Sequence, residues 1–114
     1  FVIALSHAGV DVDLKLIEKS SNLGLVVGGH DHLKFEEPRV GKDKHGQLVP
    51  VLQAGAHSAY VGELLLDVGH DGKAAIVKYQ LHEVTSQIPE DPAMKELVGL
   101  AREAREEFFG RSWD

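Results

Sequence analysis

The chain has 114 residues, 43% of them hydrophobic and 26% charged, which allows at most one modest globular domain with a limited core. Its formal net charge of −6, without a lysine and arginine cluster, argues against a module that binds nucleic acid polymers. The absence of cysteine excludes disulfides and thiolate metal sites, and it fits the cytosol and the periplasm equally well. The sequence contains neither an apolar run long enough to span a membrane nor a signal peptide.

The first third of the chain predicts a strand, a helix and a second strand. Residues 1–5 are apolar and open the chain without a methionine or a polar lead-in, from which we expect a piece of a longer protein. Residues 10–21 predict a helix that Asp11 or Asp13 can cap, and residues 23–27 predict a buried strand. The predicted apolar side of the helix consists of Val12, Leu16 and Ile17, continued by Leu23. This order is typical of a parallel, right-handed crossover, in which ligands bind beyond the carboxyl ends of the strands.

The second strand ends in the motif Gly-Gly-His-Asp-His at residues 28–32. Imidazole is a common ligand of Zn, Mn and Fe ions. In an extended segment His30 and His32 fall on the same side, and the two glycines reduce bulk and permit a tight turn. Alone, this pair fits a surface or packing role equally well. Because His7 follows the first strand, however, we expect all three histidines at one edge of the sheet, and this convergence favours a metal site.

The rest of the chain predicts a loop, further strands with a tight hairpin turn at residues 69–72, and a helix. After a polar loop at residues 33–48, three more strands are predicted: residues 49–54, 60–68 and 73–84. Asp91 as N-cap and Pro92 at the first position predict a helix over residues 92–109, where apolar residues recur at helical spacing. The apolar side of this helix predicts a docking face for a neighbouring domain or for the chain's own sheet.

Some further histidines and two aromatic residues have less specific interpretations. His45 and His70 lie in predicted turns, where we expect them to be exposed. His57 follows the third predicted strand and could approach a substrate, the alternative being a loop histidine hydrogen-bonded to backbone. Tyr60 and Trp113 could stack on a base, although a core or docking role is the simpler explanation for each.

Together, four motifs resemble the second half of the catalytic domain of a dinuclear metallophosphoesterase, of the calcineurin-like superfamily. They are Ser-His-Ala-Gly at 6–9, Gly-Gly-His-Asp-His at 28–32, Pro-Val-Leu-Gln-Ala-Gly at 50–55 and Tyr-Val-Gly-Glu-Leu at 60–64. The most similar branch is 5′-nucleotidase-like, and it includes 2′,3′-cyclic nucleotide phosphodiesterases and sulfur-oxidation thiosulfohydrolases. The resemblance implies an α/β fold, the second half of a four-layer α/β/β/α sandwich. Residues 1–85 would then be the C-terminal half of the catalytic domain, and residues 86–114 a connector and linker helix toward an absent C-terminal domain.

The resemblance also implies a chemistry, namely hydrolysis of phosphate esters with two divalent metal ions such as Mn or Zn. His7 and His30 would bind one metal and His32 the other, while Asp31 would orient an imidazole rather than ligate. The implied substrate is a small phosphate ester, a nucleotide above all, with no membrane partner. The family resemblance favours a periplasmic or extracellular location.

The family pattern further requires an upstream Asp-x-His, a bridging Asp and an Asn-His pair, none of which lies in residues 1–114. We therefore expect the missing N-terminal half of the same protein to supply the catalytic histidine, and this chain alone to bind metal weakly and not to hydrolyse phosphate esters. Three alternatives stay open: a catalytically inactive metal-binding or scaffold domain, a sulfur ester hydrolase of the thiosulfohydrolase type, and an α/β interaction module whose histidines are incidental.

Overall fold

The computed structural model describes residues 1–110, so the predicted role of Trp113 and the end of the predicted region 86–114 lie outside the described residues. The elements follow in the order β1 (Val2–Leu5), α1 (Val10–Lys19), β2 (Leu23–Val27), β3 (Arg39–Lys42), β4 (Leu48–Leu52), β5 (Tyr60–Val68), β6 (Ala74–Glu83) and α2 (Pro92–Phe109). The chain divides into two compact units, one of residues 1–84 and one that begins at Thr85.

The larger sheet of the first unit has the strand order β1-β2-β4-β3. β1, β2 and β4 are parallel, and β3 runs antiparallel to β4. The predicted strand–helix–strand crossover is therefore confirmed. Because all three parallel strands point the same way, the segments that follow them leave from one edge of the sheet.

Strand β3 lies within residues 33–48, where a polar loop was predicted, so that prediction is wrong for Arg39–Lys42. Gly41 is the buried residue of this strand, and a Cβ there would lie 3.0 Å from Cγ2 of Ile17 in α1. β3 is held by its backbone pairing with β4 and by this close approach to the helix. Neither feature produces an apolar alternation that the sequence could reveal.

The core lies between α1 and the larger sheet. Its buried apolar side chains are Val10, Ile17, Val26, Phe35, Val49 and Val51. The inward side of α1 is formed by Val10, Asp13 and Ile17, whereas Val12 and Leu16 are about half exposed, at 51% and 48%. The predicted apolar side is thus correct for Ile17 and for Leu23, which packs against the core, and wrong for Val12 and Leu16.

β5 and β6 form the two-stranded antiparallel hairpin that the sequence predicts. The Tyr79 hydroxyl of β6 donates a hydrogen bond of 2.9 Å to the Phe35 carbonyl, which joins the hairpin to the segment after β2. Burial raises the pKa of Tyr79, with a smaller contribution from the nearby Glu36 carboxylate, so this hydroxyl stays a donor at neutral pH.

The second unit contains α2, whose bounds match the prediction. The Asp91 side chain accepts a hydrogen bond of 2.9 Å from Met94 N, a proline opens the helix, and Gly110 ends it in a left-handed conformation. No residue of α2 is buried. Within residues 1–110, neither helix has the length and apolar character needed to cross a membrane.

Candidate metal centre

The carboxyl ends of β1, β2 and β4 are joined by backbone hydrogen bonds just where the histidine-bearing segments begin. Ser6 N donates to the Val27 carbonyl at 2.9 Å, and Gly28 N donates to the Leu52 carbonyl at 2.8 Å. These bonds extend the parallel pairing by one residue beyond the strands. The segments that carry His7, the motif at 28–32 and His57 therefore start side by side.

The structure brings four histidines together as two pairs. The ring centroids of His7 and His30 lie 5.5 Å apart with the planes at 78°, and those of His32 and His57 lie 5.3 Å apart at 72°. Two imidazoles on one tetrahedral ion have ring centroids about 5 Å apart, so each pair fits two of the ligands of one ion. Within residues 1–110, no three His, Asp or Glu side chains converge tightly enough to hold a metal. Each pair therefore offers two imidazoles without a third ligating side chain beside them in this part of the chain.

Three of these four histidines, His30, His32 and His57, have a left-handed backbone. Among the described residues, the positive φ angles outside glycine belong to His30 (83°), His32 (59°), His57 (57°) and Ser58 (56°). Such conformations cost about 1–3 kcal/mol each and cluster at functional sites. The segment that carries His30 and His32 is therefore not extended, as predicted, and their rings lie in different pairs.

The two glycines of the motif supply space rather than a left-handed turn. A Cβ on Gly29 would lie 3.0 Å from Nδ1 of His7, and one on Gly28 would lie 2.9 Å from Oδ2 of Asp13. Neither glycine has a positive φ, so the predicted turn depends on the histidines that follow. Gly29 lets the His7 ring lie directly against the segment that carries its partner, His30.

Gln53, which the sequence analysis did not single out, holds this segment at both ends. Its side chain is buried, its Nε2 donates to the Gly29 carbonyl at 3.0 Å, and its Oε1 accepts from Leu33 N at 2.6 Å. The residues between these two contacts are 30–32. A polar residue directly after the apolar strand β4 was the available signal, since a buried amide must find partners.

Two carboxylates near the motif have roles other than those predicted. Asp31 accepts a hydrogen bond of 2.5 Å from Val10 N, the first residue of α1, and so caps this helix from a distance. Its predicted role as the partner of an imidazole is not seen in residues 1–110. Asp13, a predicted cap, is buried instead and accepts a hydrogen bond from the Ser6 hydroxyl, beside His7.

The remaining candidates lie as follows. His45 and His70 are exposed, as predicted. Tyr60 is half-buried, and Nζ of Lys34 lies 4.2 Å from its ring centroid. This cation covers one face of the ring, which argues against Tyr60 as a free stacking platform.

Comparison with known proteins gives a consistent result. Bovine 5′-nucleotidase is 30% identical over 107 residues, which cover 82% of this chain and 19% of the relative. The crystal structure of a 5′-nucleotidase precursor from Thermus thermophilus superposes with a TM-score of 0.70 at 27% identity, covering 87% of this chain and 22% of that one. Haemophilus influenzae NAD nucleotidase (NadN), at 20% identity and a TM-score of 0.63, shares the fold over 90% of this chain and 23% of its own.

The α/β prediction is confirmed by these structures. No family model matches the chain. These relatives are nucleotidases by name, and nucleotidases are hydrolases. Within that class the similarity supports the 5′-nucleotidase family, and the chain spans about a fifth of the length of the curated relatives it matches.

Proposed function

We propose that the protein carrying this chain is a metal-dependent hydrolase of nucleotide phosphate esters. In this proposal His7 and His30 serve one divalent ion, Mn or Zn, and His32 serves a second. The observation that carries it is the pairing of imidazoles at the edge where the parallel strands end, in a chain similar to 5′-nucleotidases. When bound, two such ions polarise a phosphoryl oxygen and lower the pKa of water.

The chain's own residues would act by fixing the ligands in advance. The Gln53 amide holds the ends of the segment 30–32, and the left-handed backbone of His30 and His32 directs their rings into separate pairs. Ligands that are already oriented lose little entropy when an ion binds. The boundary between the two compact units, after Val84, supports the assignment of residues 1–85 to a catalytic domain and of residues 86–114 to a connector and helix.

The proposed substrate is a nucleotide. Relatives are named 5′-nucleotidase and NAD 5′-nucleotidase, so a nucleotide is common to their names. A sulfur ester is a weaker candidate because these relatives are named for nucleotides or their hydrolysis. Release of phosphate from AMP, and of AMP and nicotinamide mononucleotide from NAD, by the metal-loaded protein would separate the two nucleotide classes.

A second candidate, an inactive metal-binding or scaffold domain, is favoured by one observation. Within residues 1–110 the pairs lack a third ligand, so residues 1–114 alone should bind metal weakly and hydrolyse nothing. A protein whose remaining sequence supplies no Asp-x-His and no Asn-His pair would fit this candidate.

The test is AMP hydrolysis by the protein that carries this chain, with Mn²⁺, compared among the wild type, His30→Ala and His45→Ala. We expect His30→Ala to lose activity by about a hundredfold and His45→Ala, altered at an exposed histidine outside both pairs, to retain it. Equal activity of all three proteins, or activity that survives complete removal of metal by a chelator, would overturn the proposal.

A further inference from the structure

The geometry points to His57 as a further metal ligand, which shares an ion with His32. This inference rests on the proposed function and adds one residue to it. The His32–His57 pair repeats the arrangement of the His7–His30 pair, with centroids at 5.3 Å against 5.5 Å and interplanar angles of 72° against 78°. If His7 and His30 together bind one ion, the same geometry lets His32 and His57 bind the other.

The two histidines of this pair are held together by their neighbours. Gly55 N donates to the Leu33 carbonyl at 2.9 Å, which joins the segment after β4 to the residue that follows His32. An isolated backbone bridge between Lys34 and Ala54 continues this contact. The proximity of the rings therefore follows from main-chain pairing, and it does not depend on two free side chains meeting by chance.

The His57 segment is also a tight, strained turn. His57 and Ser58 are consecutive left-handed residues, at φ 57° and 56°, and Ala59 N closes the turn onto the Ala56 carbonyl at 3.1 Å. Glycine would adopt this conformation at lower cost, yet a histidine and a serine occupy it. A side chain needed at this point offers a reason for the strain.

The alternative is a loop histidine hydrogen-bonded to backbone. Among the described residues, the one imidazole with a hydrogen bond is that of His82, which contacts Glu63 at 2.7 Å. No hydrogen bond from the His57 ring to backbone is found in residues 1–110. The His57 ring is exposed and faces the ring of His32. Its nitrogens are therefore available, and neutral imidazole nitrogen is a common ligand of Zn²⁺ and Mn²⁺.

The experiment is a Zn²⁺ titration of the histidine-labelled protein, followed by NMR of the imidazole groups, with zinc as the probe. We expect the signals of His32 and His57 to shift in one common step. His57→Asn, which tolerates a left-handed backbone, and His57→Gly should each weaken zinc binding at His32 on the order of tenfold while the His7 and His30 signals respond as in the wild type. His70→Asn, in the exposed β5–β6 turn, is the matched control and should change nothing.

The outcomes separate the two proposals. If zinc shifts His7, His30 and His32 while His57 stays still, or if both His57 variants keep wild-type affinity at His32, the inference is wrong and the proposed function stands. If zinc shifts none of the four histidines, the metal site of the proposed function fails together with the inference. Backbone amide spectra of the variants establish that they are folded.

Discussion

The side-chain amide of Gln53 donates a hydrogen bond of 3.0 Å to the main-chain carbonyl of Gly29. This bond joins the end of β4 to the end of its parallel neighbour β2. The side-chain oxygen of Gln53 accepts a second bond, from Leu33 N, so one buried residue closes a loop around positions 30–32. The orientation of two predicted metal ligands therefore depends on a residue that would not touch the metal. Such supporting residues commonly change metal affinity by about 10–100-fold.

Gln53→Glu tests this arrangement. The acceptor for Leu33 N is kept, but an oxygen replaces the amide that donates to Gly29, which leaves that carbonyl unpaired. We expect the free energy of unfolding to fall by about 1–3 kcal/mol and zinc affinity to fall about tenfold. Urea denaturation and zinc titration provide the measurements. Gln87→Glu, at an exposed position of the turn after β6, should stay within about 0.5 kcal/mol of the wild type. Equal losses in both variants would contradict the prediction.

Gly29→Ala should disturb one histidine pair and leave the other intact. The new Cβ would lie 3.0 Å from Nδ1 of His7, so this ring must move away from His30. We expect the imidazole signals of His7 and His30 to change and their zinc affinity to drop about tenfold, with His32 unaffected. Gly99→Ala in α2, where a Cβ meets nothing within 4 Å, is the control and should stabilise that helix by about 0.8–1 kcal/mol. Unchanged His7 signals in the alanine variant would count against the proximity of Gly29 and His7.

Asp31→Asn should weaken the start of α1. The carboxylate accepts a hydrogen bond from Val10 N and interacts favourably with the positive end of the helix dipole. Because asparagine keeps the acceptor and loses only the charge, we expect a loss of about 0.3–1 kcal/mol in the free energy of unfolding and faster hydrogen exchange of amides in the first turn of α1. The same change at the exposed Asp67 of β5 should affect neither measurement. Exchange rates equal to those of the wild type would refute the capping role.

Glu63 should give the hairpin a stability that depends on pH. The ion pair with Lys78, and after it the contact with His82, lowers the pKa of Glu63 below its ordinary value of 4.5. Because the pKa is lower in the folded state, the contribution is present above pH 4.5 and is lost as the pH falls through the lowered value. The melting temperature of Glu63→Gln should therefore be lower than that of the wild type at pH 7 and equal to it in strong acid. Glu83→Gln is the control, and a melting difference that persists in strong acid would disprove the assignment.

Much of the architecture was predictable because local signals and tertiary structure agree. Asp91 and Pro92 mark the start of α2, and the alternation of β5 and β6 predicts their hairpin. β3 was missed because Arg39–Lys42 owe their pairing to β4 and to the close approach of Gly41 to α1. Local sequence does not record either contact.

The candidate site was predicted in its residues but not in its pairing. Strand polarity alone brings His7, His30 and His32 to one edge of the sheet. The partnership of His32 with His57 requires left-handed backbone at both residues, for which non-glycine residues carry almost no sequence signal. Gln53 could have been noticed as a polar residue at the end of an apolar strand, and its two partners become evident only in three dimensions.

The strand order leaves β1 at one side of the larger sheet, with β2 as its neighbour. Val2, Ile3 and Leu5 of this strand are exposed, so an apolar row borders open backbone donors and acceptors. Such an edge is a template for pairing with another chain. In a sample of residues 1–114 alone, pairing at this edge will therefore limit the protein concentration at which the histidines can be studied.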